Sequence, residues 1–289
     1  MSLAFEDVRR HWERWAKEFG TELRATTKTP TIKMLEIFAL TQHIPAGSQV
    51  LDVGCGNGYN ACAFLKSVAD VSVIGVDYSP EMIANARKKA QLYGSRRAGT
   101  RVEFLVADAL ALPFGPVFDV ATTDRCLINL TNIELQKRAI DSIAKTLKPG
   151  GLFLMLENSQ QTHARQNDAR EAVGLPRRVP ADFNLFLDED ILLPHCYGQF
   201  DVVGVEDFGS LHDLVLYVLA PASNDGRIDY AHPAVAKAAQ LTMMLSGKYG
   251  HYPFGGFGQN RLYVLRKKAT LERSGVNASA ADVATGRER

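Results

Sequence analysis

The chain has 289 residues, 46% of them hydrophobic and 22% charged, and its 33 Lys and Arg against 32 Asp and Glu leave a formal net charge of +1. That balance is ordinary for a globular protein and excludes a strong overall attraction to nucleic acid or to an anionic membrane surface. Four cysteines (Cys55, Cys62, Cys126 and Cys196) without C-x-x-C spacing exclude a dense disulfide framework and a paired-cysteine metal site.

The first ten residues carry Glu6, Asp7, Arg9 and Arg10 in place of the apolar core of a signal peptide, and no apolar run is long enough to span a bilayer. A reduced cytoplasmic setting without membrane contact is expected. Residues 5–19 place Trp12, Trp15 and Phe19 at helical spacing. A polar stretch follows, and a second helix is expected near residues 31–42. Residues 50–58, V-L-D-V-G-C-G-N-G, read as an apolar strand running into a glycine turn. Glycine serves where the backbone takes positive φ or a ligand meets the main chain. In the dinucleotide fingerprint G-x-G-x-x-G the third glycine falls where Tyr59 stands, which speaks against a nicotinamide or flavin.

Residues 73–77 form a second apolar strand ending in Asp77, and Pro80 marks a helix start. Residues 102–109 read as a third strand that carries Asp108, and residues 118–124 as a fourth that ends in Asp124. A helix then leads to the turn L-K-P-G-G at 147–151 and a fifth strand at 152–157. Strand six is expected at 200–205. The segment 210–258 holds an apolar piece at 214–219, a helix at 233–245 and an aromatic-glycine tract, and 260–266 reads as the last strand.

These motifs, in this order, resemble the class I S-adenosylmethionine-dependent methyltransferases, over roughly residues 45–158 plus the later strands. The chain looks most like bacterial small-molecule or glycan O-methyltransferases. The resemblance implies an α/β Rossmann-like fold. Its seven-stranded sheet is mostly parallel, with an antiparallel last strand between strands five and six, helices on both faces, and helical insertions forming a cap. Residues 1–44 become an N-terminal helical cap segment, 45–267 the methyltransferase domain with acceptor-side insertions at 158–198 and 210–258, and 268–289 a disordered tail. The implied cofactor is S-adenosylmethionine, leaving as S-adenosylhomocysteine. Its implied binding set is Asp52, Gly54, Cys55, Gly56, Asn57, Gly58, Asp77 for the ribose hydroxyls, Tyr78, Asp108 for the adenine amino group, Ala109 and Thr123. Cys55 reads as a small buried filler. In the cap segment, Arg24 and the neighbouring threonines are candidates for the methionine carboxylate or an anionic substrate; a solvated loop is the alternative.

Methyl transfer is an in-line displacement, so the main task is to hold donor carbon and acceptor atom about 3 Å apart and aligned. A hydroxyl acceptor profits from a base, and Asp124, His163, His212 and His251 are candidates. Asp124, Arg125 and His163 form the expected catalytic set, with Arg125 orienting an anionic group. The alternative for Asp124–Arg125 is an internal ion pair or a helix cap. The Pro-Pro-Tyr signature of amino-methyltransferases is absent after strand four, as is the Asp/Asp/Asn triad of metal-dependent catechol enzymes, so no metal is expected. Arg87, Lys88, Lys89, Arg96, Arg97 and Arg101 form a basic cluster that suits RNA phosphates or a solvated helix face. The expected reaction is methyl transfer to an oxygen of a small metabolite or sugar by a monomer or homodimer, with nucleic acid not expected as a partner. The alternatives are an RNA or protein methyltransferase, a non-catalytic cofactor-binding partner protein, and a nicotinamide-dependent reductase.

Overall fold

The computed structural model describes residues 5–27, 29–92 and 98–269. The expected tail beyond 269 and the basic residues Arg96 and Arg97 lie outside the described residues. Seven strands form one sheet: β1 (Gln49–Val53), β2 (Ser72–Asp77), β3 (Arg101–Val106), β4 (Phe118–Asp124), β5 (Leu147–Asn158), β6 (Phe200–Glu206) and β7 (Asn260–Lys267). Their order is β3-β2-β1-β4-β5-β7-β6. The first five strands run parallel, and β7 enters antiparallel between β5 and β6, as expected. The chain reverses its winding between β1 and β4, and open α/β sheets bind ligands at such a switch point, outside the strand carboxyl ends.

Around the sheet lie α1 (Phe5–Phe19), α2 (Pro30–Thr41), α3 (Tyr59–Ser67), α4 (Pro80–Leu92), α5 (Ile133–Thr146), α6 (Gln160–Ala172), α7 (Glu189–Tyr197), α8 (Ser210–Leu214), α9 (Ala220–Ala222) and α10 (Pro233–Tyr249). Successive strand residues feed two cores, because side chains alternate across a sheet. Val50, Val120 and Leu154 join one core with residues of α2, α3 and α10, while Leu51, Ala121 and Phe153 join the other with residues of α5 and α7. Local chemistry sets the helix starts. Asn132 Oδ1 accepts from Leu135 N at 2.9 Å to cap α5, and Ser159 Oγ accepts from Thr162 N at 3.2 Å to cap α6.

Several boundaries differ from expectation; α10, for one, runs to Tyr249, four residues past its expected end. β3 stops at Val106, three residues short, because it is an edge strand with one neighbour; Asp108 therefore sits in the loop beyond it. β5 begins at Leu147, ahead of the glycines, because Leu147 pairs with Phe118 before a register shift; bulges absorb Pro and Gly that a regular central strand would not. The apolar piece at 214–219 forms a π-helical turn, Val215–Leu219, between α8 and α9, a geometry that hydrophobic spacing does not distinguish from an ordinary helix.

Candidate active site

The glycine turn leaves β1 at the centre of the sheet. Gly54 has φ 69°, and a Cβ there would lie 2.4 Å from Cys126 Sγ; at Gly58, φ 76°, a Cβ would lie 2.9 Å from the Phe104 ring. Both positions therefore need glycine on two counts, backbone conformation and space. Beneath the turn Asp52 is 1% exposed. Its Oδ1 accepts from Thr122 Oγ1 at 2.9 Å, while Oδ2 has no hydrogen-bond partner among the described residues. Burial pushes this carboxyl up to about 7.

Asp77 stands at the end of β2 facing the same turn. Its Oδ2 accepts from Gly56 N at 3.0 Å and its Oδ1 from Ser79 N at 2.9 Å. Burial raises it to about 6 in spite of those two donors. Asp108 accepts from Leu110 N at 2.9 Å and from Arg9 Nη2 of α1 at 2.8 Å. The Arg9 guanidinium carbon lies 4.8 Å from the Tyr78 ring centroid, and the Tyr78 hydroxyl donates to Arg9 O at 3.2 Å.

Helix α1 lies across these groups. Trp12 Nε1 donates to Asn129 Oδ1 at 3.0 Å, Ser79 Oγ donates to Glu13, and Asn85 Nδ2 donates to Ala16 O at 2.9 Å. Asn57 Nδ2 donates to Gly20 O at 3.0 Å and to Glu22 O at 2.8 Å, tying the glycine turn to the loop after α1. A cavity of about 370 Å³ lies beneath this helix, within the usual range for small-molecule sites. Gly54, Cys55, Gly56, Asp77, Tyr78, Asp108, Ala109, Asp124, Arg125 and His163 line it. Of the other expected residues, Asp52 and Thr123 are buried in the strands behind it, Asn57 holds the N-terminal loop, and Gly58 caps α3. Thr26, Thr27 and Thr29 line it, whereas Arg24 pairs with Glu22 at 2.5 Å on the surface.

At the end of β4 the structure holds the ion-pair alternative for Asp124. Its Oδ2 accepts from Lys33 Nζ at 2.5 Å and from Asn60 Nδ2 at 2.8 Å, and its Oδ1 lies 3.4 Å from Arg125 Nε. Glu36 completes the cluster, 2.7 Å from Lys33 Nζ and 2.9 Å from Arg125 Nε. Burial alone would raise Asp124; Lys33 and Arg125 outweigh it and hold the carboxyl below its ordinary value. A carboxylate stabilised in that way is a poor proton acceptor. Arg125 has φ 56°, a left-handed conformation uncommon for a non-glycine residue. The turn is held by Glu157, which accepts from Cys126 N at 3.1 Å, Leu127 N at 3.0 Å and Ile128 N at 3.3 Å.

His163 is 7% exposed, and burial, with Arg178 and Arg177 nearby, lowers it to about 4. It is an uncharged imidazole at neutral pH. His212 is buried between Thr31 and Asp213, at 2.8 Å from each, and the exposed His251 contacts Tyr249 O; neither lines the cavity. Of the basic cluster, Lys89 is 3% exposed and donates to Thr21 O at 2.6 Å, and Arg87 donates to Phe104 O at 2.7 Å. Sequence reasoning missed Lys33, Glu36 and Arg9. A signal existed for the first two: an i,i+3 charge pair inside the apolar helix T-I-K-M-L-E-I-F reads as a buried pair.

Residues 50–151 match the family described as a methyltransferase domain. Demethylmenaquinone methyltransferase of Thermus thermophilus is 35% identical over 113 residues, 39% of this chain and 48% of that protein. The O-methyltransferase cnsE of Penicillium expansum is 33% identical over 112 residues, 38% of each chain. The matches thus span less than half the length of these curated relatives. Among solved structures, the [4+2]-cyclase SpnF superposes with a TM-score of 0.52 at 23% identity, over 82% of this chain and 80% of that one; this likeness concerns the fold.

Proposed function

We propose that this chain, a class I S-adenosylmethionine-dependent methyltransferase by its sheet order and by residues 50–151, moves a methyl group from that cofactor to an oxygen of a small molecule or sugar. The observation that carries the reading is the single cavity in which the glycine turn, Asp77 and Asp108 face residues of both later insertions. The residues fit the cofactor. Gly54 and Gly56 present bare backbone, Asp77 and Asp108 offer carboxylates suited to ribose hydroxyls and an adenine amino group, and the hydroxyls of Thr26, Thr27 and Thr29 suit an amino-acid end. When bound, the cofactor supplies a methyl group on a sulfonium, an electrophile that needs no activation by the protein.

What remains for the protein is to align and to manage a proton. The Lys33–Asp124–Glu36–Arg125 cluster fixes the wall at the end of β4 and leaves Asp124 without basicity to spare. His163 is the uncharged imidazole lining the acceptor side, and one of its ring nitrogens takes the hydroxyl proton. Its basicity, at about 4, is low; what sets it apart from Asp124 is that Lys33, Asn60 and Arg125 occupy the Asp124 oxygens, and a hydroxyl oxygen that is gaining a methyl group becomes acidic enough for a weak base. The relatives that act on quinone precursors or oxygen fit a small acceptor, and the burial of Lys89 removes part of the basic face that RNA would need. A cyclase shares the fold, so turnover must be measured and not assumed.

Calorimetry with S-adenosylhomocysteine, and NADH as control, tests the first half. Micromolar binding of the former alone is expected, and Asp77→Ala should weaken it by about tenfold or more. Binding of NADH, or of neither, would overturn the reading. Release of S-adenosylhomocysteine in an acceptor screen tests the second half.

A further inference from the structure

The charged groups lining the cavity are almost all paired. Arg9 holds Asp108, Lys33 and Arg125 hold Asp124 and Glu36, and Asp77 is held by backbone N–H groups. Arg178 differs. Among the described residues it is the one lining cation with no carboxylate at ion-pair distance. Neutral groups hold it in place. Its Nη1 donates to Gln166 Oε1 at 2.7 Å and to Gln259 Oε1 at 3.1 Å, and its guanidinium carbon lies 3.5 Å over the Tyr217 ring. Its backbone is clamped as well: Arg178 N donates to Asn167 Oδ1 at 2.8 Å, and Asn167 Nδ2 donates to Arg178 O at 2.9 Å. Gln166 is fully buried, and its Nε2 donates to Phe257 O at 3.0 Å, which turns its oxygen toward Arg178.

Arg178 is partly buried, and a guanidinium fixed by four residues with no carboxylate partner is set to receive an anion from the cavity. Nη2 and Nε have no acceptor among the described residues, and a guanidinium edge matches two oxygens of one anionic group. Arg178 follows α6, in the insertion after β5, where acceptor-contacting loops belong. Trp12, Trp15 and Phe183 line the same cavity and supply flat apolar surface. We infer that Arg178 is the anion-binding residue of the acceptor chamber, and that the acceptor carries a carboxylate or phosphoryl group on a planar apolar body. This rests on the methyl-transfer reading for the word acceptor; the anion site itself does not.

Both tryptophans of the chain line the cavity, so their fluorescence reports binding. Benzoate, phenyl phosphate and the neutral benzamide are titrated with and without S-adenosylhomocysteine, against wild type, Arg178→Gln and Arg178→Lys. One of the two anions should bind about tenfold tighter than benzamide; which one tells carboxylate from phosphoryl. Arg178→Gln should erase the preference and Arg178→Lys should restore part of it. Equal binding of the three probes, no binding, or a preference that survives Arg178→Gln overturns the inference. So does a loss of S-adenosylhomocysteine affinity in Arg178→Gln with anion binding intact, which would give Arg178 to the cofactor's carboxylate. Failure of the wild type to bind S-adenosylhomocysteine would strike the methyl-transfer reading instead, while the titration without it still tests Arg178.

Discussion

Asp52 concentrates a cost in one side chain. Its folded value of about 7 stands above the ordinary 3.8, so the folded protein holds this proton more tightly than the unfolded chain. The stability this contributes is complete below about 4 and is lost as pH rises to about 7, a cost on the order of 4 kcal/mol. Asp52→Asn removes the charge, and it keeps an oxygen for Thr122. In urea titrations the advantage of the variant over wild type should widen from pH 5 to pH 8; a gap that does not change with pH would rule the argument out. Asp77 could be placed from the sequence because it closes an apolar strand, and Asp108 because it follows one by two residues; a strand end in this fold is a fixed address. Lys33 could not be linked to Asp124, nor Arg178 to Tyr217, because no periodicity connects positions so far apart in the chain. Asp124 was legible as a place and not as a role: its partners, more than its position, set its basicity.

At the scale of the element, α1 is the part of the site that must yield. It spans the cavity and is pinned through Arg9, Trp12, Glu13 and the loop that Asn57 holds. Trp12 and Trp15 announced the helix by their spacing, but nothing in that spacing says which surface the aromatic face covers. Asn57 shows the same gap, since its place in the glycine turn suggested cofactor contact and its side chain grips the N-terminal loop instead. Removing that grip leaves two backbone carbonyls without their donor, a loss of about 1–3 kcal/mol. Asn57→Ala should therefore speed S-adenosylhomocysteine release by about tenfold in stopped-flow displacement followed by tryptophan fluorescence. An unchanged release rate would mean that α1 does not gate the site.

For the whole molecule, strand positions were the most legible property, because buried parallel strands write themselves as short apolar runs with turns at regular intervals; the place of the last strand between β5 and β6 was legible only through the family resemblance. The cap was the least legible, since its contacts, such as Trp12 with Asn129 and His11 and Trp12 with Phe183, join residues far apart in the chain. Among the described residues no helix is long and apolar enough to cross a membrane. The position of β7 has a consequence for the birth of the protein. The last strand among the described residues sits inside the sheet, with Leu152 of β5 opposite Arg266 and Phe200 of β6 opposite Lys267. A chain emerging from the ribosome thus completes β5 and β6 and must wait for a partner that arrives last and slides between them. Until then β5 presents an open edge, which invites pairing with other chains. A product truncated before residue 260 should accordingly collect in the insoluble fraction and not persist as a smaller folded domain; a soluble, monomeric truncation in size-exclusion chromatography would show that the sheet closes without it.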